Sequence, residues 1–186
     1  MNYPTSFHKN YFPLCMIRLI LLILVFSNSV HGQDIFECCR TGNTKKLERL
    51  IKKQPELVNQ TNENGFSPLI IATYRNQESC VRLLLQKGAN PNQASQEGTA
   101  LIGACYKNNQ NIALLLLQNG ASPIVKGANE MTPLIFAAQN RNKILIDTLL
   151  SRGADKSHKD AMDRTAYDYA VALEFTELTL ILKPDE

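Results

Sequence analysis

Histidine, cysteine and paired carboxylates are the residues with which this chain could do acid–base, nucleophilic or metal chemistry, and their placement speaks against all three. The histidines are His8, His31 and His158. The first two precede residue 33, in a segment that has the form of a removable leader. His158 stands alone, without the cysteine or carboxylate constellation that a triad or a metal site demands, and is expected to be an exposed loop residue. No glycine-rich phosphate loop and no metal-spaced ligand pair occurs. Catalytic residues, cofactor and metal are therefore all expected to be absent, and the remaining chemistry is that of binding.

The elements that position the binding residues come from a repeat. Asn64 to Asn92 contains Gly-Phe-Ser-Pro-Leu-Ile-Ile-Ala-Thr, a polar break at Arg75 to Ser79, the run Val81-Arg82-Leu83-Leu84-Leu85, and Gly88-Ala89-Asn90. Ser67-Pro68-Leu69 recurs as Thr99-Ala100-Leu101, Thr132-Pro133-Leu134 and Thr165-Ala166-Tyr167, at offsets of 32, 33 and 33 residues. Gly88-Ala89 returns as Gly120-Ala121 and Gly153-Ala154. A fixed period near 33 with two apolar runs per period predicts a stacked array of helix pairs.

Each part of the unit has a physical task. Ser67, Thr99, Thr132 and Thr165 are placed to cap a first helix, their hydroxyls accepting from a backbone N–H that the helix leaves unpaired. Pro68 and Pro133 follow at the first helical position, where a missing N–H costs nothing. Leu69 with Ala72, Leu101 with Ala104, and Leu134 with Ala137 put apolar groups on one face, the alanines allowing close helix approach. A second, leucine-rich helix covers Val81 to Leu85, Ile112 to Leu117 and Ile144 to Leu150, closing at Gly88, Gly120 and Gly153 in the left-handed conformation.

These residues resemble the ankyrin repeat, whose unit opens Gly-x-Thr-Pro-Leu-His-x-Ala-Ala and closes Leu-Leu-Leu-x-x-Gly-Ala-Asp. The resemblance runs from about Asp34 to the C-terminus and implies an all-α solenoid of about five helix-turn-helix units with finger turns. The histidine after the Pro-Leu pair is replaced by Ile70, Ile102 and Ile135, which removes its hydrogen bonds between units. Glycine of the finger turn survives at Gly65, while Glu97, Glu130 and Asp163 take its other positions. The family's usual contact surface is the concave face of finger tips and first-helix ends. That implies protein binding by Phe66 and Met131 on the fingers and by Tyr74, Arg75, Tyr106, Lys107, Gln139 and Asn140 on the helices. Aromatic and basic residues in a row suit an interface. The alternative arrangement has Phe66 and Met131 packing on their own turns and Tyr74 stacking on Tyr106.

Cys38, Cys39, Cys80 and Cys105 follow residue 33, an even number in a chain that carries an export signal, so a disulfide has to be considered. Cys39 and Cys105 repeat the same first-helix position two units apart, too far to bond. Cys38 has a nearer candidate in the next unit, but Cys80 belongs to a second helix. Small buried apolar filler is the better account of all four. Asn59-Gln60-Thr61 is a glycosylation sequon.

The unbroken apolar run Leu19 to Phe26 follows Arg18 and precedes Ser27 to Gly32. It has the form of a secretory signal over residues 1–32 with cleavage after Gly32, and Met16 would make the more compact start. At eight residues it falls short of a bilayer span, so a retained membrane anchor is the second reading. Residues 33–60 are expected to form an N-terminal cap with Lys45, Lys46, Glu48, Arg49, Lys52 and Lys53 outward. Repeats follow over 61–93, 94–126 and 127–159. A C-terminal cap over 160–186 turns Leu178, Leu180, Ile181 and Leu182 inward. After residue 33 there remain 18 basic against 17 acidic residues. No nucleic-acid partner is implied. The expectation is an exported (periplasmic or secreted) monomer that binds another protein, with a membrane-tethered scaffold as the alternative.

Overall fold

The computed structural model describes residues 35–184; the leader and its cleavage point lie outside them. Among the described residues ten α-helices follow one another in antiparallel pairs: α1 (35–41) with α2 (Thr44–Lys53), α3 (Pro68–Tyr74) with α4 (Glu78–Gln86), α5 (Ala100–Tyr106) with α6 (Gln110–Gln118), α7 (Pro133–Gln139) with α8 (Lys143–Ser151), and α9 (Ala166–Ala172) with α10 (Thr176–Leu182). No named strand is present among them; one isolated antiparallel bridge joins Ser95 to Gly98. The odd-numbered helices α3, α5, α7 and α9 pack in sequence as one layer, and α2, α4, α6 and α8 as a second. No described helix is long and apolar enough to cross a membrane.

The first helices are only two turns long, below the length at which a helix holds its shape alone in water, so neighbours must hold them. They do so through one residue per unit at each core level. Leu69, Leu101 and Leu134 are buried in the first layer, Leu84, Leu116, Leu149 and Leu182 in the second. Ala72, Ala104, Ala137 and Ala170, all fully buried, let the layers close together. The second helices end with Gly88, Gly120 and Gly153 at φ near +86, as their spacing predicts.

Three of the four expected hydroxyl caps form. Ser67 Oγ accepts from the Ile70 N–H and Thr132 Oγ1 from the Ile135 N–H. Thr165 makes a full capping box with Asp168, whose carboxylate accepts from the Thr165 N–H and hydroxyl at 2.7 Å. Thr99 does not cap: its hydroxyl is buried and without a partner. The finger before it also differs, although the Thr99 backbone, at φ −91 and ψ 172, matches that of Thr165. Gly98, at φ +114, takes the left-handed conformation there. The equivalent residues of the other fingers are one position earlier, at Gly65, Glu130 and Asp163. A Cβ on Gly98 would lie 3.1 Å from the Gly127 Cα, so the third and fourth fingers meet backbone to backbone.

The C-terminal cap also departs from expectation. Leu178 and Leu182 are buried, but Leu180 is 84% exposed rather than turned inward. Two residues advance a helix by about 200°, which carries Leu180 to the side opposite its neighbours. Arg82 and Asp147 hold the same place in α4 and α8, both on the solvent side.

Units are tied by side chains as well as by packing. The Asn59 amide donates to the Gly88 carbonyl and its oxygen accepts from the Asn90 N–H; Asn92 does the same one unit later with Gly120 and Ser122. The sequon asparagine therefore has a structural function, and a glycan on Asn59 would have to displace the Gly88 bond. His158, expected to be an exposed loop residue, is half-buried and bonds through Nε2 to the Glu130 carbonyl at 2.7 Å. It links the fourth finger to the chain that leads into the fifth.

Candidate functional site

The C-terminal ends of the first helices and the fingers form one face of the array. On it Tyr74 and Tyr106 occupy the same position in successive units and project outward, 47% and 52% exposed. Their rings stack with centroids 6.2 Å apart and planes 15° from parallel. The edge of Phe136, from the next unit, meets Tyr106 at 5.5 Å, extending the ladder across three first helices. Gly103, the one glycine inside a first helix among the described residues, lies beneath the Tyr74 ring, where an added Cβ would make ordinary contact at 3.6 Å.

Lys107 lies over this ladder, its Nζ 4.5 Å from the Tyr74 centroid and 5.5 Å from that of Tyr106. Arg75 is exposed at the equivalent place one unit earlier. Neither cation has a carboxylate partner among the described residues. An ammonium held against two π faces is favourable by about 0.5–1 kcal/mol at an exposed site, too little to explain the arrangement by stability alone.

The other sequence-predicted residues fare differently. Phe66 and Met131 are half-buried and pack against the core, in line with the alternative that keeps them on their own turns. Tyr74 and Tyr106 do stack on each other, yet remain exposed, so self-stacking and a free surface coexist. Asn140 also has a place within the array: its amide donates to the Cys105 carbonyl at 3.0 Å and to the Phe136 carbonyl at 2.9 Å, pinning α7 to α5. Gln139 is half-buried beside Tyr169.

At the far end of the same face the fifth unit holds a cluster that sequence reasoning missed. Asp160, buried at the base of the finger, accepts from the Met162 and Arg164 N–H groups through Oδ1, and from the Tyr169 hydroxyl at 2.6 Å and the Arg164 guanidinium at 3.1 Å through Oδ2. The guanidinium also lies over the Tyr169 ring at 4.4 Å. Burial works against the Asp160 charge, but the Tyr169 hydroxyl, the Arg164 and Met162 N–H groups and the guanidinium outweigh it and hold the carboxyl down to about 2, from an ordinary 3.8. The available signal was the spacing: Asn62 stands at the same place in the second unit and closes that finger by accepting from the Asn64 and Phe66 N–H groups.

Among the described residues Cys38, Cys39, Cys80 and Cys105 are buried and form no disulfide, and the Cys80 thiol lies 3.8 Å from the Cys38 carbonyl. Burial pushes the Cys39 and Cys105 thiols far up, away from the reactive thiolate.

The pattern of units agrees with comparison against known proteins. The family described as "Ankyrin repeats (3 copies)" matches residues 35–127, and "Ankyrin repeat" matches residues 129–161. The chain is similar to the rat "Ankyrin repeat and SAM domain-containing protein 6", 32% identical over 148 residues, 80% of this chain and 13% of that protein. It is also similar to "Palmitoyltransferase akr1" of Aspergillus oryzae, 32% identical over 69 residues, covering 37% and 9%. "Mitochondrial disaggregase" of Homo sapiens is 28% identical over 81 residues, covering 42% and 11%. The chain thus spans about an eighth or less of the length of these curated relatives, and their differently named activities sit on proteins that share the repeat. Unit by unit and by family match alike, the chain belongs to the ankyrin repeat family of protein–protein interaction modules.

Proposed function

We propose that this protein is an exported interaction module that holds a partner protein on the concave face of its array and performs no catalysis. The observation that carries the proposal is the exposed ladder Tyr74–Tyr106 with Lys107 laid over it. Tyrosine and basic side chains of this kind dominate interface energetics when a partner excludes water from them. In support of a non-catalytic role, His158 is taken up by the Glu130 carbonyl and the thiols are buried. The unit boundaries proposed are 33–60, 61–93, 94–126, 127–159 and 160–186, acting as a monomer with periplasmic or secreted destination after cleavage at Gly32.

The test is a pull-down from the exported fraction with residues 33–186, beside a variant carrying Tyr74→Ala, Arg75→Ala, Tyr106→Ala and Lys107→Ala whose urea midpoint stays near that of the parent. A protein retained by the parent and lost by the variant is the expected result. Equal retention would move the contact off this face. N-terminal sequencing of the exported chain separates the cleaved module from the second reading, a membrane-tethered scaffold favoured by the apolar run Leu19 to Phe26: a start at Gln33 supports cleavage, and a membrane-bound chain that keeps the run supports the tether.

A further inference from the structure

The concave face carries cations that the chain itself leaves without counter-charge, and one unit shows what completes such a site. In the fifth unit a guanidinium lies 4.4 Å over a tyrosine ring, and a carboxylate, Asp160, accepts from both the tyrosine hydroxyl at 2.6 Å and the guanidinium at 3.1 Å. In the second and third units a cation again lies against a tyrosine ring, here at the C-terminal ends of the first helices: Lys107 is 4.5 Å over Tyr74 with Arg75 beside it, and neither cation has a carboxylate partner among the described residues. We infer that a partner supplies it: the face recognises an extended acidic segment whose carboxylates pair with Arg75 and Lys107 and whose intervening aromatic side chain lies on the Tyr74–Tyr106 ladder. This rests on the concave-face reading above and names the chemistry of the partner.

Geometry sets the spacing of the acids. Arg75 and Lys107 hold the same position on α3 and α5, and packed helices lie about 8–10 Å apart. An extended polyproline-type segment advances about 3.1 Å per residue and returns to the same side every third residue, after about 9 Å. Two acidic residues three apart therefore meet the two cations, with an aromatic residue between them. Orientation follows from the opposite edge of the face. Glu63 and Glu97 on the second and third fingers are exposed and without ion pairs among the described residues, whereas Glu130 and Asp163 on the fourth and fifth are paired with Lys126 and Lys159. An acidic segment is thus repelled from the second and third fingers and drawn toward the helix ends. The chain's own residues 1–33 contain no aspartate or glutamate and do not fit this role.

The test uses the full chain from Gln33 and the fluorescent probe peptide Pro-Glu-Tyr-Pro-Glu-Pro in a polarisation titration at two salt concentrations. Saturable binding is expected, weakened at least about tenfold when both glutamates become glutamine, and weakened by raised salt. Arg75→Ala with Lys107→Ala should cost about tenfold and flatten the salt dependence, and Tyr74→Ala with Tyr106→Ala about tenfold without flattening it. A second basic surface, the outer side of α2, serves as control: Lys45→Ala with Arg49→Ala and Lys52→Ala should leave binding unchanged. No binding by the parent, equal binding of the glutamine peptide, or loss of binding in the α2 variant each overturns the inference. The concave-face reading is judged apart from it, since a natural partner lost on changing Tyr74 and Tyr106 but kept by the charge reversal Arg75→Glu with Lys107→Glu would leave the face standing and remove its acidic preference.

Discussion

The second-to-third and the fifth units of this array build the same local object, a cation over a tyrosine ring, and leave it in opposite states. At Tyr169 the ring hydroxyl and the Arg164 guanidinium converge on buried Asp160, so the cation has its counter-charge within the unit. At Tyr74 and Tyr106 the rings are half exposed and Lys107 has only their faces. The difference follows the place of the ring: Tyr169 stands on the first turn of α9 beside its finger, whereas Tyr74 and Tyr106 stand at the C-terminal ends of α3 and α5. Asp160 sits at the base of its finger, within reach of Tyr169 and Arg164. The fifth cluster stabilises the end of the stack, where there is less to pack against, and the open one remains available for contact.

The sharpest way to break this comparison is Asp160→Ala. It leaves the Met162 and Arg164 N–H groups, the Tyr169 hydroxyl and a guanidinium short of an acceptor at once, so a loss of about 3 kcal/mol is expected in urea unfolding. Amide exchange should rise first in α9 and α10, because stability in a stacked array is local to a unit and its neighbours. Tyr74→Ala should change the same midpoint by well under half as much, since its ring is exposed.

Acid should expose the same contrast. The folded Asp160 carboxyl sits at about 2 against an ordinary 3.8, so the folded state binds fewer protons than the unfolded one in between. Its contribution, about 2 kcal/mol, is present above pH 4 and lost as the pH falls from about 4 to about 2. Thermal unfolding between pH 5 and 2 should lose that slope in Asp160→Asn. The Arg75→Ala with Lys107→Ala variant should keep it.

Removing single hydroxyls sharpens the comparison further. Tyr169→Phe takes a donor from a buried carboxylate and should cost about 1–2 kcal/mol, while Tyr74→Phe and Tyr106→Phe should be close to neutral by urea midpoint. The smallest effect separates two caps. Thr132→Val loses a hydrogen bond to the Ile135 N–H, at about 1 kcal/mol, but Thr99→Val removes a buried hydroxyl that bonds nothing and should be neutral or slightly stabilising.

Much of the fold was legible in the residues because helix geometry turns a repeated spacing into a repeated place. Pro68 and Pro133 at first helical positions, the leucines at core level and the closing glycines all follow from local rules that need no knowledge of the neighbours. The candidate site was only half legible. Tyr74, Tyr106, Arg75 and Lys107 stood out by type and register, but Asn140, identical in register to Arg75 and Lys107, proved to be tied to the Cys105 carbonyl 35 residues earlier. Nothing in its local sequence distinguishes a bonded amide from a free one. Leu180 misled for the opposite reason: an apolar residue in an apolar run was assigned inward, although its helical angle places it outward.

The amino-acid order by itself determined the unit, its period, its two helices and the face on which Tyr74, Arg75, Tyr106 and Lys107 gather, since these depend on side-chain spacing along 3.6-residue turns and on hydroxyl, proline and glycine at helix ends. Tertiary structure alone decided which of those residues stay available. Whether an amide such as that of Asn140 or Asn59 is spent in tying two units together is set by groups about 30 residues away, brought within about 3 Å by stacking. Lys107 was likewise brought over Tyr74 of the preceding unit only by stacking, whereas Arg164 found Asp160 four residues away in its own finger.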